Sequence, residues 1–156
     1  MLTGSVLGIF ATEEGGVPKP SVDSIDVRLN GVYGERIRDT KHHGGPKRAV
    51  CILSNQTLQF LQQDGHPISG GSTGENLLIA IDEDSLGPGV RLKFNHVELE
   101  ITTPAPPCKT IQESFTDGDF KQLSHKLNPQ RTRWYAKVIQ EGIIRIDEVV
   151  EINSIA

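Results

Sequence analysis

Apolar and polar residues alternate in the stretch VRLKFNHVELEITTPAPPCK, which covers residues 90–109. In residues 90–94 and again in residues 97–101, every second residue is apolar. A period of two predicts strands, because successive side chains of a strand point to opposite faces. Asn95-His96 separates the two runs and predicts the turn between them. The stretch therefore predicts a β-hairpin with one apolar face.

A stiff arm follows the predicted hairpin and ends in a cysteine. Prolines at 104, 106 and 107 each fix a φ angle and favour an extended conformation in the residue before them. The arm would hold the thiol of Cys108 at the mouth of the sheet, with Lys109 beside it. A neighbouring cation favours the thiolate, which is the nucleophilic form and a soft metal ligand. The alternative interpretation is a small residue in a proline-rich turn.

Short apolar runs recur along the rest of the chain, separated by many of its 16 glycines and nine prolines. Asn30-Gly31 predicts a hairpin turn, and Glu141-Gly142 predicts another between residues 134–139 and 143–146. Ser54 is a suitable N-cap for a short helix that carries Leu58 and Leu61. The remaining predicted strands are residues 2–10, 22–29, 49–53, 77–81 and 149–152.

A second helix is predicted from Thr116 or Asp117 onward, since Phe120, Leu123 and Leu127 follow at helical spacing. Many short strands and two modest helices predict a mainly β fold, either a β-barrel or a β-sandwich with helical decoration. No internal repeat or linker interrupts the pattern, so we expect residues 1–156 to form one domain.

Composition excludes several classes of protein. A net charge of −4 argues against general nucleic-acid binding, and no apolar run approaches the ~20 residues that span a bilayer. The N-terminus lacks the features of a signal peptide, and two cysteines make no disulfide framework. We therefore expect a cytoplasmic protein with free thiols and no membrane partner. Cys51, inside the apolar run 49–53, is predicted to be an inert core residue.

The segment from Arg36 to Arg48 has no apolar period, and a long loop of this kind is more often functional than not. Adjacent His42 and His43 would point to opposite sides of an extended chain, so they are poorly placed to chelate one ion. The functional interpretation is one histidine that lines a pocket, together with Gly44-Gly45 and the cations Lys47 and Arg48. A solvated polar loop is the alternative.

Two further segments could bind an anion. The loop of residues 70–76 could present backbone N–H groups, although it lacks the Gly-Lys-Ser/Thr of a phosphate-binding P-loop. Arg131 and Arg133 would share a face of an extended chain, and guanidinium groups suit phosphate recognition. A surface position is the alternative for both arginines.

In order along the chain, these segments resemble the MOSC domain family, which is named for the C-terminal domain of molybdenum cofactor sulfurases. No single segment decides the resemblance, but the ordered set is specific and extends from about Gly8 to Ile152. The matching segments are HGGPKRAV at residues 43–50, TGENL at residues 73–77, TTPAPPCK at residues 102–109, and RWYAKV at residues 133–138 with the turn around Gly142.

The resemblance implies a β-barrel-rich fold with Cys108 at the edge of a pocket. In one role attributed to such domains, the cysteine ligates molybdenum of a pterin cofactor, and the protein reduces N-hydroxylated bases or amines. In the other, the cysteine carries sulfur as a persulfide toward a metal–sulfur centre. Lys47 could help to neutralise a pterin phosphate. The expected cofactor-binding residues are His43, Gly44, Gly45, Arg48, Gly74, Glu75, Asn76, Lys109, Arg131 and Arg133.

The chain departs from the family pattern at one position, because Ala105 stands where the motif usually has arginine. One basic contact to an anionic ligand is therefore expected to be missing. Full-length sulfurases also carry a pyridoxal-phosphate cysteine desulfurase domain, so we expect any pyridoxal phosphate to lie on a separate protein. The expected partners are a small-molecule substrate and either an electron-donor protein or a cysteine desulfurase.

Overall fold

The computed structural model describes residues 2–38, 40, 41 and 43–153. Ten strands and one α-helix alternate with short 3₁₀ turns in this part of the chain. The strands are β1 (Leu2–Ile9), β2 (Ser24–Arg28), β3 (Gly31–Val32), β4 (Val50–Ser54), β5 (Leu77–Ala80), β6 (Arg91–Lys93), β7 (Glu98–Pro104), β8 (Trp134–Gln140), β9 (Gly142–Arg145) and β10 (Val149–Asn153), and the helix is α1 (Asn55–Gln63).

Seven strands close into a barrel in the order β1-β10-β6-β7-β8-β4-β5, with β5 returning to β1. The other three form a small sheet in the order β3-β2-β9. The mainly β fold is confirmed, and of the two architectures left open by the strand pattern the barrel is the one adopted. Within the described residues, no helix is long and apolar enough to cross a membrane.

The hairpin predicted at residues 90–101 is present, as β6 and β7, with Leu92 opposite Leu99. Its apolar face is buried in the barrel, where Leu92 and Leu99 have no exposed surface. On the outer face, Arg91 forms ion pairs of 3.2 Å with Glu98 and 3.1 Å with Glu100. Burying one such aliphatic side chain stabilises a fold by about 1.5–3 kcal/mol, so the alternating pattern fixes which face turns inward.

One pair of strands runs parallel in this otherwise antiparallel barrel. β4 and β5 pair in the same direction, with Ile52 opposite Leu77, and α1 lies in the connection between them. Because the two strands share a direction, the segments that precede them meet at the same end of the barrel. These segments are Pro46–Arg48 and residues 73–76. At this end of the barrel, the Asn76 N–H donates to the Cys51 carbonyl over 2.8 Å.

The first predicted helix is confirmed as α1. Ser54 is its N-cap, with Oγ accepting from the Gln56 N–H over 3.2 Å, and Leu58 and Leu61 are buried. The hairpin predicted at Asn30-Gly31 is also present, although its turn residues are Leu29-Asn30, because Arg28 pairs with Gly31.

Two local predictions were wrong. Residues 134–139 and 143–146 do not form a hairpin: β8 pairs with β4 and β7, whereas β9 pairs with β2. The second predicted helix is replaced by 3₁₀ turns at Lys109–Ser114, Thr116–Gly118 and Phe120–Leu123. Asp117 has a φ of 57°, a left-handed conformation that interrupts a helix, and Leu127 is 61% exposed.

A buried carboxylate joins α1 to the segment before β8. Glu83 accepts hydrogen bonds from Thr57 Oγ1 at 2.9 Å, the Thr132 N–H at 3.2 Å and Trp134 Nε1 at 3.2 Å. Burial outweighs these donors and raises the pKa of Glu83 from 4.5 to about 7. The folded protein therefore holds a proton on Glu83 at pH values where the unfolded chain has lost it.

Because its pKa is raised on folding, Glu83 contributes stability that is complete below about pH 4.5 and is lost as pH rises through about 7. The full loss is about 3 kcal/mol. We expect Glu83→Gln, which keeps an acceptor and carries no charge, to flatten the fall in unfolding free energy between pH 5 and pH 8. Urea denaturation at both pH values measures this, with the exposed Glu13→Gln as control. Equal pH slopes in wild type and Glu83→Gln would refute the assignment.

Candidate functional site

A cavity of about 400 Å³ lies where several loops meet at the N-terminal end of β4. Its volume is within the range of about 300–1,000 Å³ that is typical of small-molecule sites. Walls are contributed by residues 16, 17 and 19, residues 35–38, 43, 44 and 48, residues 73, 74 and 76, the arm that ends at Cys108, and the start of β8. The sequence elements predicted to be functional therefore meet around one space.

Cys108 lines this cavity at the end of the proline-rich arm, immediately before the 3₁₀ turn Lys109–Ser114. Its thiol is half-buried and shares a hydrogen bond of 2.8 Å with Thr110 Oγ1. The Cys108 carbonyl accepts from the Ile111 N–H over 3.1 Å, which holds the turn against the arm. The second cysteine, Cys51, is buried in the cavity wall, and burial raises the pKa of its thiol.

Arg133 ties the cysteine arm to the loop of residues 70–76. Only 4% of this arginine is exposed. Its guanidinium donates to the Thr73 carbonyl, to the Pro106 carbonyl over 3.1 Å and, more weakly, to the Ala105 carbonyl over 3.5 Å. The buried Nε has no hydrogen-bond partner within the described residues. Most of the donor capacity of Arg133 is therefore used to position the backbone around Cys108.

A histidine and a tyrosine form a hydrogen-bonded pair on another wall. His43 Nδ1 and the Tyr135 hydroxyl are bonded, with the two rings edge to face and their centroids 6.0 Å apart. Burial raises the pKa of Tyr135, so the phenol keeps its proton at neutral pH. Gly44 and Gly45 follow with φ angles of 76° and 86°, a conformation that favours glycine. His42 lies outside the described residues.

The loop of residues 73–76 is braced by two side chains that are themselves saturated. Asn76 accepts from the Cys51 N–H over 3.1 Å and donates to the Phe10 carbonyl over 3.0 Å and to Glu35 over 3.1 Å. Glu75 is fully buried and accepts from the Gly71 N–H over 2.9 Å. Burial raises the pKa of Glu75, whose side chain bonds to Gly71 and Thr73 and does not line the cavity.

The cavity is strongly cationic. Among the described residues that line it are one lysine and four arginines, against the single carboxylate of Glu35. Lys19 and Glu35 form an ion pair of 2.9 Å, with 10% and 4% of their side chains exposed. The lining thus has a formal excess of four positive charges in a chain of net charge −4. The cations of this lining that have no carboxylate partner among the described residues are Arg36, Arg38, Arg48 and Arg133.

The family model of the MOSC domain matches residues 39–151, more than two thirds of the chain. This chain belongs to the MOSC domain family. The uncharacterized protein YflK of Bacillus subtilis (strain 168) is 25% identical to it over 145 residues, which cover 91% of this chain and 64% of YflK. Protein YiiM of Escherichia coli (strain K12) is 24% identical over 129 residues, which cover 80% of this chain and 57% of YiiM. This MOSC domain therefore spans about three fifths of the length of these curated relatives.

Solved structures show the same fold. The YuaD protein of Bacillus subtilis superposes with a TM-score of 0.80 at 17% identity, over 99% of this chain and 98% of that one. YiiM from Escherichia coli superposes with a TM-score of 0.74 at 20% identity, over 100% of this chain and 72% of that one.

The structure brings together only part of the residue set expected from the MOSC pattern. Lys47 and Lys109 are exposed and away from the cavity lining. Arg131 does not share a site with Arg133, because its guanidinium lies 4.8 Å over the Phe60 ring and bonds to Asn128. Of the ten expected cofactor-binding residues, those that line the cavity are His43, Gly44, Arg48, Gly74, Asn76 and Arg133, and those that do not are Gly45, Glu75, Lys109 and Arg131.

Sequence reasoning missed several polar residues of the cavity, among them Lys19, Glu35, Arg36, Arg38, Thr110 and Tyr135. The loop that contains Arg36 and Arg38 was predicted to be functional, but neither arginine was chosen. Their spacing of two residues around Ile37 was the available signal. Ala105, at the position where the family motif has arginine, is buried against Cys51 and Tyr135 and does not line the cavity.

Removing the Arg133 guanidinium should loosen the arm that holds Cys108. We expect Arg133→Met to lower the unfolding free energy by about 3 kcal/mol, because buried carbonyl groups lose their donors. We also expect Cys108 to be alkylated several-fold faster, as measured by peptide mapping after a timed pulse of iodoacetamide. Arg131→Met is the matched control and should change both readouts little. Unchanged alkylation of Cys108 in Arg133→Met would contradict a positioning role.

Proposed function

We propose that this MOSC domain binds the molybdenum cofactor in the cavity, with Cys108 as the molybdenum ligand, and reduces N-hydroxylated compounds. The observation that supports it best is the position of the Cys108 thiol on the wall of a cavity lined by four arginines, none of which has a carboxylate partner in the described part of the chain. A thiolate is a soft ligand, and an excess of positive charge favours an anionic cofactor with a phosphate group. Membership of the MOSC family adds the association with molybdenum.

The donor set of the cavity fits a metal that arrives with ligands of its own. Within the described residues, no group of three or more His, Cys, Asp and Glu side chains could hold a bare metal ion. Cys108 would therefore supply the protein ligand, and the other ligands would belong to the pterin. Arg48 and Arg133 would supply positive charge near the cofactor phosphate, while Gly74 would allow close approach of the loop backbone.

Reduction of an N-hydroxylated compound converts R–NH–OH, two electrons and two protons into R–NH₂ and water. The bound cofactor would supply the two electrons, which an external electron-donor protein would replace. The chain would supply protons and orientation. The Tyr135 hydroxyl remains protonated and can donate to Nδ1 of His43, which places the imidazole proton on Nε2. This pair is our candidate for proton delivery to the departing water.

The cysteine assignment is tested by elemental analysis of protein expressed in cells that make the cofactor. We expect near-stoichiometric molybdenum in the wild type and its loss in Cys108→Ser with an unchanged melting temperature. Cys51→Ala is the matched control, because it removes the other thiol of the cavity wall and should retain the metal. Molybdenum at wild-type stoichiometry in Cys108→Ser would refute the ligand assignment, and selective loss in Cys51→Ala would exchange the roles of the two cysteines.

A second candidate function is sulfur carriage, with Cys108 as a persulfide. The half-exposed position of its thiol supports this, since a donor protein must reach the sulfur. A cysteine desulfurase with its own pyridoxal phosphate would be the donor. We expect incubation with such an enzyme and cysteine to add the mass of one sulfur atom to the Cys108 peptide. An unmodified peptide, under conditions that load an authentic carrier, would eliminate this function.

A further inference from the structure

Three arginines at the mouth of the cavity carry charge that the protein does not neutralise. We call Arg36, Arg38 and Arg48 the rim arginines. None of them has a carboxylate partner within the described residues, and Arg36 has no side-chain hydrogen bond there either. Some cations elsewhere in the described residues do have carboxylate partners, as Arg28 has in Asp26 and Lys137 has in Glu100.

Two of the rim arginines are held in place by neutral groups. Arg38 donates from Nε and Nη2 to the Glu14 carbonyl, at 3.3 Å and 3.1 Å. Its side chain packs across Gly15 and Gly16, where added Cβ atoms would lie 2.8 Å from Arg38 Cγ and 3.1 Å from Arg38 Nη1. Arg48 donates from Nε to the Gly44 carbonyl and from Nη1 to the Lys41 carbonyl, both at 3.1 Å. Carbonyl partners orient a guanidinium group and leave its charge uncompensated.

The other two cations of the cavity are not free to bind a ligand in the same way. Lys19 is neutralised by Glu35 at 2.9 Å. Arg133 is buried and uses its terminal nitrogens on backbone carbonyls, so it acts on a ligand mainly through its field. The guanidinium N–H groups that remain available to donate hydrogen bonds to an anion therefore belong mainly to the rim arginines.

We propose that two of the rim arginines, Arg36 and Arg38, bind a phosphate group carried by the substrate, while Arg48 stays with the cofactor phosphate, so that the substrate is the phosphate monoester of an N-hydroxylated compound. This inference rests on the proposed function, and it adds the class of substrate. A phosphate monoester carries a charge of about −1.5 to −2 at neutral pH. The four arginines of the cavity, which have no carboxylate partner among the described residues, therefore exceed what one phosphate requires, and they match one phosphate from the cofactor and a second from the substrate. The exposed side chains of Arg36 and Arg38 place the second phosphate on the solvent side.

The proposal is tested by calorimetric binding of 5′-AMP and adenosine, two probes that differ by one phosphate, to cofactor-free and cofactor-loaded protein. We expect 5′-AMP to bind at least about tenfold more tightly than adenosine in both forms. The double variant Arg36→Gln/Arg38→Gln should reduce this preference to about threefold or less. The matched control Arg91→Gln, which removes an arginine from the outer face of the barrel, should leave the preference unchanged.

Each alternative result has a distinct meaning. Equal affinities for 5′-AMP and adenosine would overturn the proposal, as would a preference that survives in the double variant. A preference seen in cofactor-free protein but lost on loading would also overturn it, because the rim would then hold the phosphate of the cofactor. If the purified protein retains no molybdenum but prefers 5′-AMP through the rim arginines, the proposed cofactor fails and the phosphate site stands.

Discussion

A proline-rich backbone lacks an N–H group at each proline, so it cannot form the regular hydrogen-bond ladder of a strand. This constraint governs the site. Pro106 and Pro107 have no N–H to donate, so the arm that carries Cys108 cannot join a neighbouring strand as a regular ladder. Its carbonyl groups still need donors if they are buried. The guanidinium of Arg133 meets that need for Ala105 and Pro106, and its contact with Thr73 joins the arm to the opposite loop.

The barrel determines which loops surround the cysteine. Parallel pairing of β4 and β5 brings the segments before both strands to one end of the barrel, and β8 places Arg133 and Tyr135 next to them. The loops themselves are fixed by buried polar side chains, such as Asn76 and Glu75, whose hydrogen bonds are nearly all internal. Because these loops are already held in place, little free energy is spent on ordering them when a ligand binds.

Local patterns in the sequence predicted the hairpin of β6 and β7 and helix α1, because each depends on side-chain period or on a nearby cap. The same patterns predicted a mainly β fold but left barrel and sandwich open, and only the resemblance to the MOSC family implied the barrel. Patterns could not identify the partner of β9. Residues 142–145 pair with residues 24–27, more than 110 positions earlier, and a local turn signal carries no information about such a choice. The second predicted helix is absent because Asp117 adopts a left-handed conformation, which the spacing of the apolar residues does not reveal.

The candidate site divides in the same way. Cys108 and His43 belong to distinctive motifs, so the sequence could single them out, and both line the cavity. Arg36 and Arg38 belong to no motif, and the net charge of −4 conceals the local excess of positive charge that they create. Arg131 and Arg133 look equivalent in sequence, but burial separates them, because one packs on Phe60 and the other enters the protein.

The first and last strands of the described chain are neighbours in the barrel, with Leu2 opposite Ile152 and Ser5 opposite Val149. During translation, β1 emerges from the ribosome long before β10 has been synthesised. The side of β1 that later pairs with β10 therefore stays unpaired during synthesis of nearly the whole domain. Unpaired strand edges attract other chains. The exposed β1 edge therefore remains open to incorrect strand pairing until the final strand of the barrel emerges.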